Sequence, residues 1–327
     1  MGDIPLFGVD LGFGLVKVAG PGYRESFPAV VAELGAWSDP AGLVEFDGHA
    51  YLIGEPALSL EHRRWAIRDD KIVTVDEKAK CLVALAHLAR HYNTTVMALA
   101  TGLPPAHYNS PGRQAEMKQH MTDVFDFRYN GLPYHVEVAG VSVDPQSGAA
   151  FFDFLLHDDG ELNTANADLL ELRSIVIDPG HRTTDVCLMN GRKAALGNRS
   201  IMTIDQGVWT VYEETKRLIQ TEYGVTKEPE EIDALWRRRE SFRVSGRSVP
   251  LGELIARAAA PIARSIAAKA MRHAGDVRLW DVALLVGGGS HLFEGVLAAE
   301  LGVPVRMPRR PEFGNVGGYF KRKLERR

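Results

Sequence analysis

The stretch of sequence that decides the fold is residues 10–17, which read Asp10-Leu11-Gly12-Phe13-Gly14-Leu15-Val16-Lys17. An apolar run over residues 6–10 ends at the acid, and a second apolar run follows the glycines over residues 15–19. Apolar runs separated by a glycine-rich turn are typical of two antiparallel strands. The stretch therefore predicts a β-hairpin with an acid at the end of its first strand and a lysine on its second.

The same pattern returns about half the chain length later. Residues 178–185 read Asp178-Pro179-Gly180-His181-Arg182-Thr183-Thr184-Asp185, after an apolar run over residues 174–178. The predicted elements follow the order strands, helices, strand and helix, twice over. A repeated unit of this kind predicts an α/β chain of two similar domains that face each other across a cleft. A polar stretch over residues 158–166 marks the boundary between them.

The composition is that of an ordinary globular protein, with 327 residues, 45% of them hydrophobic and 24% charged. The formal net charge of -4 gives no reason to expect nucleic-acid or anionic-membrane binding. No apolar run approaches the roughly 18 residues that a membrane span needs, and a strand-like run from Ile4 leaves no room for a signal peptide. Cys81 and Cys187 lie in apolar segments, which predicts buried thiols and a cytoplasmic location.

Two further patterns give structural expectations. The basic runs over residues 237–239 and 321–327 are expected to be solvated faces. A long alanine-rich helix is predicted over residues 251–273, and Pro261 within it is expected to kink the helix or break it in two.

The hairpin turns have the chemistry of a phosphate site. Glycines such as Gly12, Gly14 and Gly180 let backbone N–H groups approach phosphate oxygens, because no β-carbon blocks the way. Lys17 can neutralise phosphate charge. Asp10 and Asp178 end corresponding strands, and two carboxylates can hold a hydrated Mg²⁺ that also binds phosphate. One such motif alone is more often an ordinary turn, but two copies half a chain apart favour the phosphate interpretation.

A glycine run, Gly287-Gly288-Gly289-Ser290, follows a buried strand and opens a predicted helix. That placement suits close approach to a nucleoside or its phosphates, although a triple glycine alone is often a plain turn. The chain has no Gly-x-x-x-x-Gly-Lys-Ser/Thr motif, which excludes a P-loop NTPase. The spacing of the first glycines also fits a dinucleotide-binding fold poorly.

Gln146 lies just before the crossover between the two halves, in the stretch Val143-Asp144-Pro145-Gln146-Ser147-Gly148. A glutamine here can orient a water for attack on the terminal phosphate, as in other nucleotide hydrolases. A glutamine at the start of a helix with no catalytic role is an equally good interpretation from the residues alone.

Five motifs together resemble the actin-like ATPases, in the superfamily of actin, heat-shock chaperones and sugar kinases. Residues 10–17 resemble actin's first phosphate motif, with the same spacing, and residues 178–186 the second phosphate hairpin. Residues 285–290 resemble the adenosine motif, and residues 145–149 and 315–319 the two connecting helices. The resemblance implies an α/β actin-like ATPase fold, in which two RNase H-like α/β domains flank a nucleotide cleft.

The resemblance also implies domain limits and site residues. The first domain is expected over residues 1–158, with a C-terminal helix over residues 312–327 returning to it, and the second over residues 159–311. Gln146 and Asp178 are the implied catalytic residues, and Asp10 and Asp178 the implied Mg²⁺ ligands. The implied nucleotide contacts are Asp10, Gly12, Phe13, Gly14, Lys17, Gly180, His181, Arg182, Thr183, Gly287, Gly288, Gly289 and Ser290.

Three shorter stretches, residues 27–29, 51–57 and 101–104, look like the ParM/StbA plasmid-segregation group and its archaeal relatives. That resemblance implies self-association into filaments driven by Mg-ATP, with GTP as the alternative nucleotide. The filaments would move plasmid DNA through a DNA-binding adaptor protein, without direct nucleic-acid contact and without a membrane.

The chain departs from the family pattern at two positions. Phe13 replaces the serine that actin places against the terminal phosphate, so only the backbone N–H remains there. His181 replaces a usual glycine, and it either bonds a phosphate oxygen or crowds the site. Gln146 matches actin, whereas some ParM-like proteins have glutamate at this position. These departures leave the hydrolysis rate open.

Two other functions fit the same superfamily. A small-molecule kinase would need an aspartate base near the terminal phosphate, for which Asp144 is the candidate, and a substrate pocket that no insertion here provides. A non-filamentous, ATP-dependent scaffold would need neither. Assembly that depends on ATP separates the filament-forming ATPase from both.

Overall fold

The computed structural model describes residues 4–33, 41–60, 62–65, 74–196 and 199–324. The chain divides into two compact units: Met1–Ala167 with Phe313–Arg327 forms unit 1, and Asp168–Glu312 forms unit 2. Unit 1 thus extends to Ala167, past the boundary expected at residue 158, and the chain returns to it at Phe313.

The strands of the described residues are, in chain order, β1 (Leu6–Leu11), β2 (Leu15–Gly20), β3 (Tyr23–Pro28), β4 (Val30–Glu33), β5 (Leu43–Phe46), β6 (His49–Ile53), β7 (Arg64–Trp65), β8 (Val96–Leu103), β9 (Val124–Tyr129), β10 (Leu132–Pro145), β11 (Arg173–Pro179), β12 (Thr184–Asn190), β13 (Lys193–Ala194), β14 (Ile201–Ile204), β15 (Phe242–Val244), β16 (Arg247–Val249), β17 (Val282–Leu285) and β18 (Val305–Arg306).

The α-helices are α1 (Val75–Tyr92), α2 (Pro105–Tyr108), α3 (Pro111–Met121), α4 (Ala150–Leu155), α5 (Val208–Tyr223), α6 (Pro229–Arg237), α7 (Leu251–Ala274), α8 (Ser290–Glu300) and α9 (Gly314–Leu324). Short 3₁₀ turns cover Glu55–Ser59, Thr164–Leu170, Val277–Leu279 and Pro311–Phe313. No helix of the described ranges is both long enough and apolar enough to cross a membrane.

The two units share one strand arrangement. In unit 1 the sheet order begins β3-β2-β1-β8-β10, where β1 and β2 are antiparallel and β1, β8 and β10 are parallel. In unit 2 β12 is antiparallel to β11, and β11, β17 and β18 are parallel. Both predicted hairpins are therefore confirmed, and the first strand of each hairpin pairs on its other side with a parallel strand.

Helix α1 packs the apolar face that its sequence predicts. Its N-cap Thr74 accepts a hydrogen bond from the Glu77 backbone N–H at 3.2 Å, and Asn93 ends it in the left-handed conformation. The predicted face is buried in the core of unit 1, and comprises Ala79, Leu82, Val83, Ala86 and Ala89.

Helix α9 lies in close contact with the sheet and with α4. A β-carbon at Gly8 of β1 would come within 2.3 Å of the Val316 carbonyl oxygen, and one at Gly318 within 1.8 Å of the Ala149 carbonyl oxygen. Only glycine permits backbones to approach this closely. Phe313, Val316, Tyr319 and Phe320 complete a buried cluster against these elements.

The expectation of a solvated basic tail is wrong for the start of that run. Lys321 is buried, lies 2.9 Å from an Asp153 carboxylate oxygen and donates to the Leu156 carbonyl. Arg322 and Lys323 pair with the buried Asp144, at 2.8 and 3.1 Å. Buried charges need partners, and a charge run does not show whether the fold supplies them. Residues 325–327 lie outside the described residues.

Unit 2 holds the second core, in which α5, α7 and α8 pack on the sheet. Helix α7 runs without interruption through Pro261, so of the two expected outcomes, a kink or a break, the break is wrong. Pro261 is exposed, and water can take the place of the N–H that proline lacks.

Cys81 of unit 1 and Cys187 of unit 2 are buried free thiols, as predicted.

Candidate functional site

The first hairpin places Asp10 opposite Lys17 in the register of β1 and β2. The Lys17 ammonium lies 3.0 Å from the Asp10 carboxylate, and both side chains are largely buried. Two predicted site residues thus meet, as a pair of opposite charges at the end of the first strand. The pair therefore places one positive and one negative charge next to the glycine turn of the first hairpin.

The turn between β1 and β2 is tightly closed. A β-carbon at Gly12 would come within 2.5 Å of the Leu15 carbonyl oxygen. The Gly14 carbonyl accepts from the Ala29 N–H at 3.1 Å, which ties the turn to the junction of β3 and β4. Phe13 is half-buried between the glycines. The turn is therefore a fixed backbone loop rather than a loose connection.

Gln146 lies at the same edge of the sheet as Asp10. Strand β8 pairs in parallel with β1 on one side and with β10 on the other, so the carboxyl ends of all three strands meet. Gln146 follows the last residue of β10, is half-buried, and its N–H donates to the Leu103 carbonyl at 2.9 Å. The sheet thus positions two predicted site residues of unit 1 at one edge.

In the second hairpin, Asp178 faces Asp185 across the β11–β12 ladder. The turn is closed by the Gly180 N–H, which donates to the Thr183 carbonyl at 2.8 Å, and Arg182 is half-buried on it. Thr184 donates its hydroxyl to the Gln206 carbonyl at 2.8 Å. The turn is thus linked to the segment that leads into α5.

The second turn also binds the start of α5. The N–H groups of Val208 and Trp209 donate to the carbonyls of Gly180 and His181, at 3.1 and 2.7 Å. The His181 ring packs against the Trp209 ring, with 5.5 Å between centroids. The helix N-terminus therefore holds the turn in place and gives His181 a defined position.

The glycine run meets Asp178 inside unit 2. Gly287 has a φ of +89° and a β-carbon there would lie 2.0 Å from Asp178 Oδ1, while the Gly289 N–H donates to the Pro179 carbonyl at 2.8 Å. Gly288 is exposed. Ser290 is buried and donates its hydroxyl to the Val286 carbonyl. Two motifs far apart in sequence are thus brought into contact.

Asp185 is a further buried acid of the second hairpin, and it was not among the candidate site residues chosen from the sequence. Burial, with the negative charge of Asp178 as a smaller cause, raises the pKa of Asp185 to about 7, against a lowering hydrogen bond from Thr203. The Thr203 hydroxyl lies 2.6 Å from an Asp185 oxygen. The strand register could have indicated this residue, since it places a second acid directly opposite the first.

Each unit, taken by itself, offers groups of the kind that bind magnesium or phosphate. Unit 1 has the Asp10 carboxylate and the Lys17 ammonium beside a glycine turn. Unit 2 has the Asp178 carboxylate beside a glycine turn. Mg²⁺ is typically bound by one or two carboxylates together with phosphate oxygens and waters. Across residues 4–33, 41–60, 62–65, 74–196 and 199–324, no three His, Cys, Asp or Glu side chains are grouped to hold a metal ion.

Two family models match the chain. The actin-like protein N-terminal domain matches residues 8–148, and the C-terminal domain of the MreB-like archaeal actin homologues matches residues 176–299. Both models describe actin-like proteins, and they match the two hairpin-bearing units in order. The chain belongs to the actin-like proteins.

Solved structures share this fold. The archaeal actin homologue Ta0583 superposes with a TM-score of 0.81 at 20% identity, covering 99% of this chain and 100% of that one. Its complex with ADP gives 0.74 at 20% identity, covering 97% and 98%. A ParM from Clostridium botulinum, solved as a 15-stranded filament, gives 0.78 at 19% identity, covering 99% of each chain. No curated protein matches this chain in sequence.

Proposed function

We propose that this protein is an ATPase that binds Mg-ATP through the hairpins of both units and assembles into filaments. The observation that carries the proposal is the repeated hairpin: in each unit an acid ends the first strand, a glycine turn follows, and the same strand arrangement continues. Membership of the actin-like proteins supports it, as does a fold shared with a homologue solved in complex with ADP.

In this proposal, residues of both units would bind the nucleotide, and Gln146 would act on the attacking water. Backbone N–H groups of the two glycine turns would bind phosphate oxygens, and Lys17 would neutralise part of the phosphate charge. Asp10 and Asp178 would hold Mg²⁺, which supplies charge neutralisation at the reacting phosphate. Gln146 would orient the attacking water. The nucleoside would lie against the glycine run Gly287-Gly288-Gly289. Ser290 would hold this loop in place, because its hydroxyl donates to the Val286 carbonyl.

Filament formation is the second part of the proposal. A head-to-tail contact between identical chains does not close, so it produces a filament. The ParM from Clostridium botulinum, which shares the fold, was solved as a filament. We expect ATP to favour the assembling form of this chain and hydrolysis to favour disassembly. Plasmid or other DNA, linked through an adaptor protein in the cytoplasm, is the proposed cargo.

Sedimentation and electron microscopy across a range of protein concentrations test the proposal. We expect polymer above a critical concentration with Mg-ATP or Mg-GTP, and its loss as phosphate is released. Mg-ADP and nucleotide-free samples are the controls. A chain that hydrolyses ATP but stays monomeric at high concentration with both triphosphates would contradict filament formation and favour the scaffold. No phosphate release at all would contradict the ATPase.

The kinase alternative has less support. Its candidate base, Asp144, is buried and paired with Arg322 and Lys323 at 2.8 and 3.1 Å. A buried carboxylate engaged by two cations would have to leave both partners before it could contact a substrate hydroxyl.

A further inference from the structure

We infer that Asn315 is a positioning residue for Gln146. The inference rests on the proposed function, because it concerns the water-orienting role given to Gln146. Asn315 lies in the first turn of α9, and its side-chain oxygen accepts the Ser147 backbone N–H at 3.0 Å. This contact joins residues 168 positions apart in the chain. Asn315 thus holds the peptide group that directly follows Gln146.

That peptide group is bonded on both sides. Its carbonyl, which belongs to Gln146, accepts the Ser147 hydroxyl at 2.6 Å and the Gly148 N–H at 2.7 Å. Its N–H, which belongs to Ser147, donates to the side-chain oxygen of Asn315. The first two donors lie within the turn itself, whereas Asn315 anchors the turn to another element. Without that oxygen, the turn loses an anchor on the helix packed behind it.

The turn needs an anchor because its backbone is strained. Ser147 has a φ of +61°, in the left-handed region that residues with a β-carbon rarely adopt, and it is fully buried. Such a conformation persists when its surroundings fix it. The strained and hydrogen-bonded backbone at Ser147 directly follows the half-buried Gln146. Such a backbone is expected where the side chain of Gln146 must be held in one direction.

Helix α9 also holds the strand end before Gln146. Asp144 accepts from Arg322 at 2.8 Å and lies 3.1 Å from the Lys323 ammonium. One helix therefore fixes the chain two residues before Gln146 and one residue after it. A shift of the reacting geometry by about 1 Å can cost about 100-fold in rate, so the anchor is expected to act on kcat.

The test compares Asn315→Leu with Asn315→Asp. Leucine has a similar size and no acceptor, while aspartate keeps an oxygen at that position. We expect Asn315→Leu to lower kcat for ATP hydrolysis about tenfold or more with the nucleotide Kd changed less than about twofold, and Asn315→Asp to retain most of the parent kcat. If Asn315→Leu does not fold, Asn315→Ala removes the same acceptor and carries the same expectation.

A matched control breaks the same kind of bond elsewhere in unit 1. The Asn130 side-chain oxygen accepts the Gly42 N–H at 2.7 Å, and Asn130 precedes β10, at the end of that strand opposite to Gln146. Asn130→Ala is expected to lower stability while kcat per folded molecule stays at the parent value. An equal loss of kcat in Asn130→Ala and Asn315→Ala would overturn the inference, because it would mark a general effect of destabilisation.

The decisive measurement is the double variant Gln146→Ala/Asn315→Leu. If Asn315 acts through Gln146, adding Asn315→Leu to Gln146→Ala changes kcat by less than about twofold. Losses that multiply would overturn the inference and leave the proposed function intact. If Gln146→Ala itself hydrolyses ATP at the parent rate, the role proposed for Gln146 fails first, and the inference about Asn315 fails with it.

Discussion

Gly287 faces the carboxylate of Asp178 so closely that a β-carbon at position 287 would lie 2.0 Å from Oδ1. Its φ of +89° is also one that other residues rarely adopt. We expect Gly287→Ala to lower the free energy of unfolding by about 1–3 kcal/mol, because the methyl group must displace the acid or the loop. Urea unfolding of the purified variant measures the loss.

Gly288→Ala is the matched control for this prediction. Its β-carbon would have no neighbour within 4 Å. We expect the free energy of unfolding to change by less than about 0.5 kcal/mol. Equal losses in the two variants would contradict the contact between Gly287 and Asp178.

Asp178→Ala is expected to abolish magnesium-dependent ATP hydrolysis while the fold survives. Loss of a metal ligand removes several kcal/mol of transition-state stabilisation, which corresponds to at least about a 100-fold fall in kcat. The fold should remain because Asp178 lies beside Asp185, and its removal relieves repulsion between two acids. Phosphate release across a magnesium titration, with circular dichroism as the fold check, measures both effects.

Asp168→Ala serves as the control for Asp178→Ala. Asp168 is an exposed carboxylate of the same unit, paired with Arg306. The Asp168→Ala variant should hydrolyse ATP at the parent rate. Parent-like hydrolysis by Asp178→Ala would show that the assignment of the metal ligand is wrong.

Gln146→Ala is expected to slow hydrolysis far more than it weakens ATP binding. A residue that orients water acts mainly in the transition state, so kcat should fall about 10–1000-fold with little change in Kd. Filaments formed with ATP should then persist longer, as light scattering would record. Gln114→Ala, whose side chain bonds the Tyr108 carbonyl, is the control and should match the parent. Proportional losses of binding and rate would instead identify Gln146 as a structural residue.

The raised pKa of Asp185 predicts a pH dependence of stability. Its pKa is about 7 in the folded protein and about 3.9 in an unfolded chain. The folded state therefore holds a proton that the unfolded state has lost, so this contribution to stability is complete below about pH 4 and declines until pH exceeds about 7. Asp185→Asn keeps an acceptor for Thr203 and cannot ionise.

We therefore expect Asp185→Asn to be more stable than the parent at pH 8, by up to a few kcal/mol, and to differ from it by less than about 1 kcal/mol at pH 4.5. Urea unfolding at the two pH values measures the difference. A stability difference that does not change with pH would show that Asp185 ionises normally in the folded protein.

The hairpins could be predicted because their signal is local. Acid, glycine turn and flanking apolar runs are adjacent in sequence. Together with three further motifs, the two copies gave the resemblance to the actin-like proteins, which the family models confirm. The burial of Lys321 could not be predicted in this way. Its partners, such as Asp153, are distant in sequence, and only the docking of α9 brings them together.

In the candidate site, too, the local motifs could be predicted from the sequence, but the contacts between distant residues could not. The sequence showed Asp178 and the glycine run as separate motifs, while their contact depends on the parallel pairing of β11 with β17, in which Ile177 lies opposite Leu285. The pKa of Asp185 depends on burial and on register, which composition does not encode. The roles of the predicted site residues toward nucleotide and metal remain predictions.

The order in which the two units can complete their folding during synthesis follows from the division of unit 1 into two segments. Unit 2 is continuous, over Asp168–Glu312, and its core draws only on residues within that span. The buried cluster around Leu6 and Ala100 needs Phe313, Val316, Tyr319 and Phe320, which leave the ribosome later. The part of the nascent chain made second is therefore expected to complete its folding first, while the earlier part keeps an open apolar surface until α9 arrives.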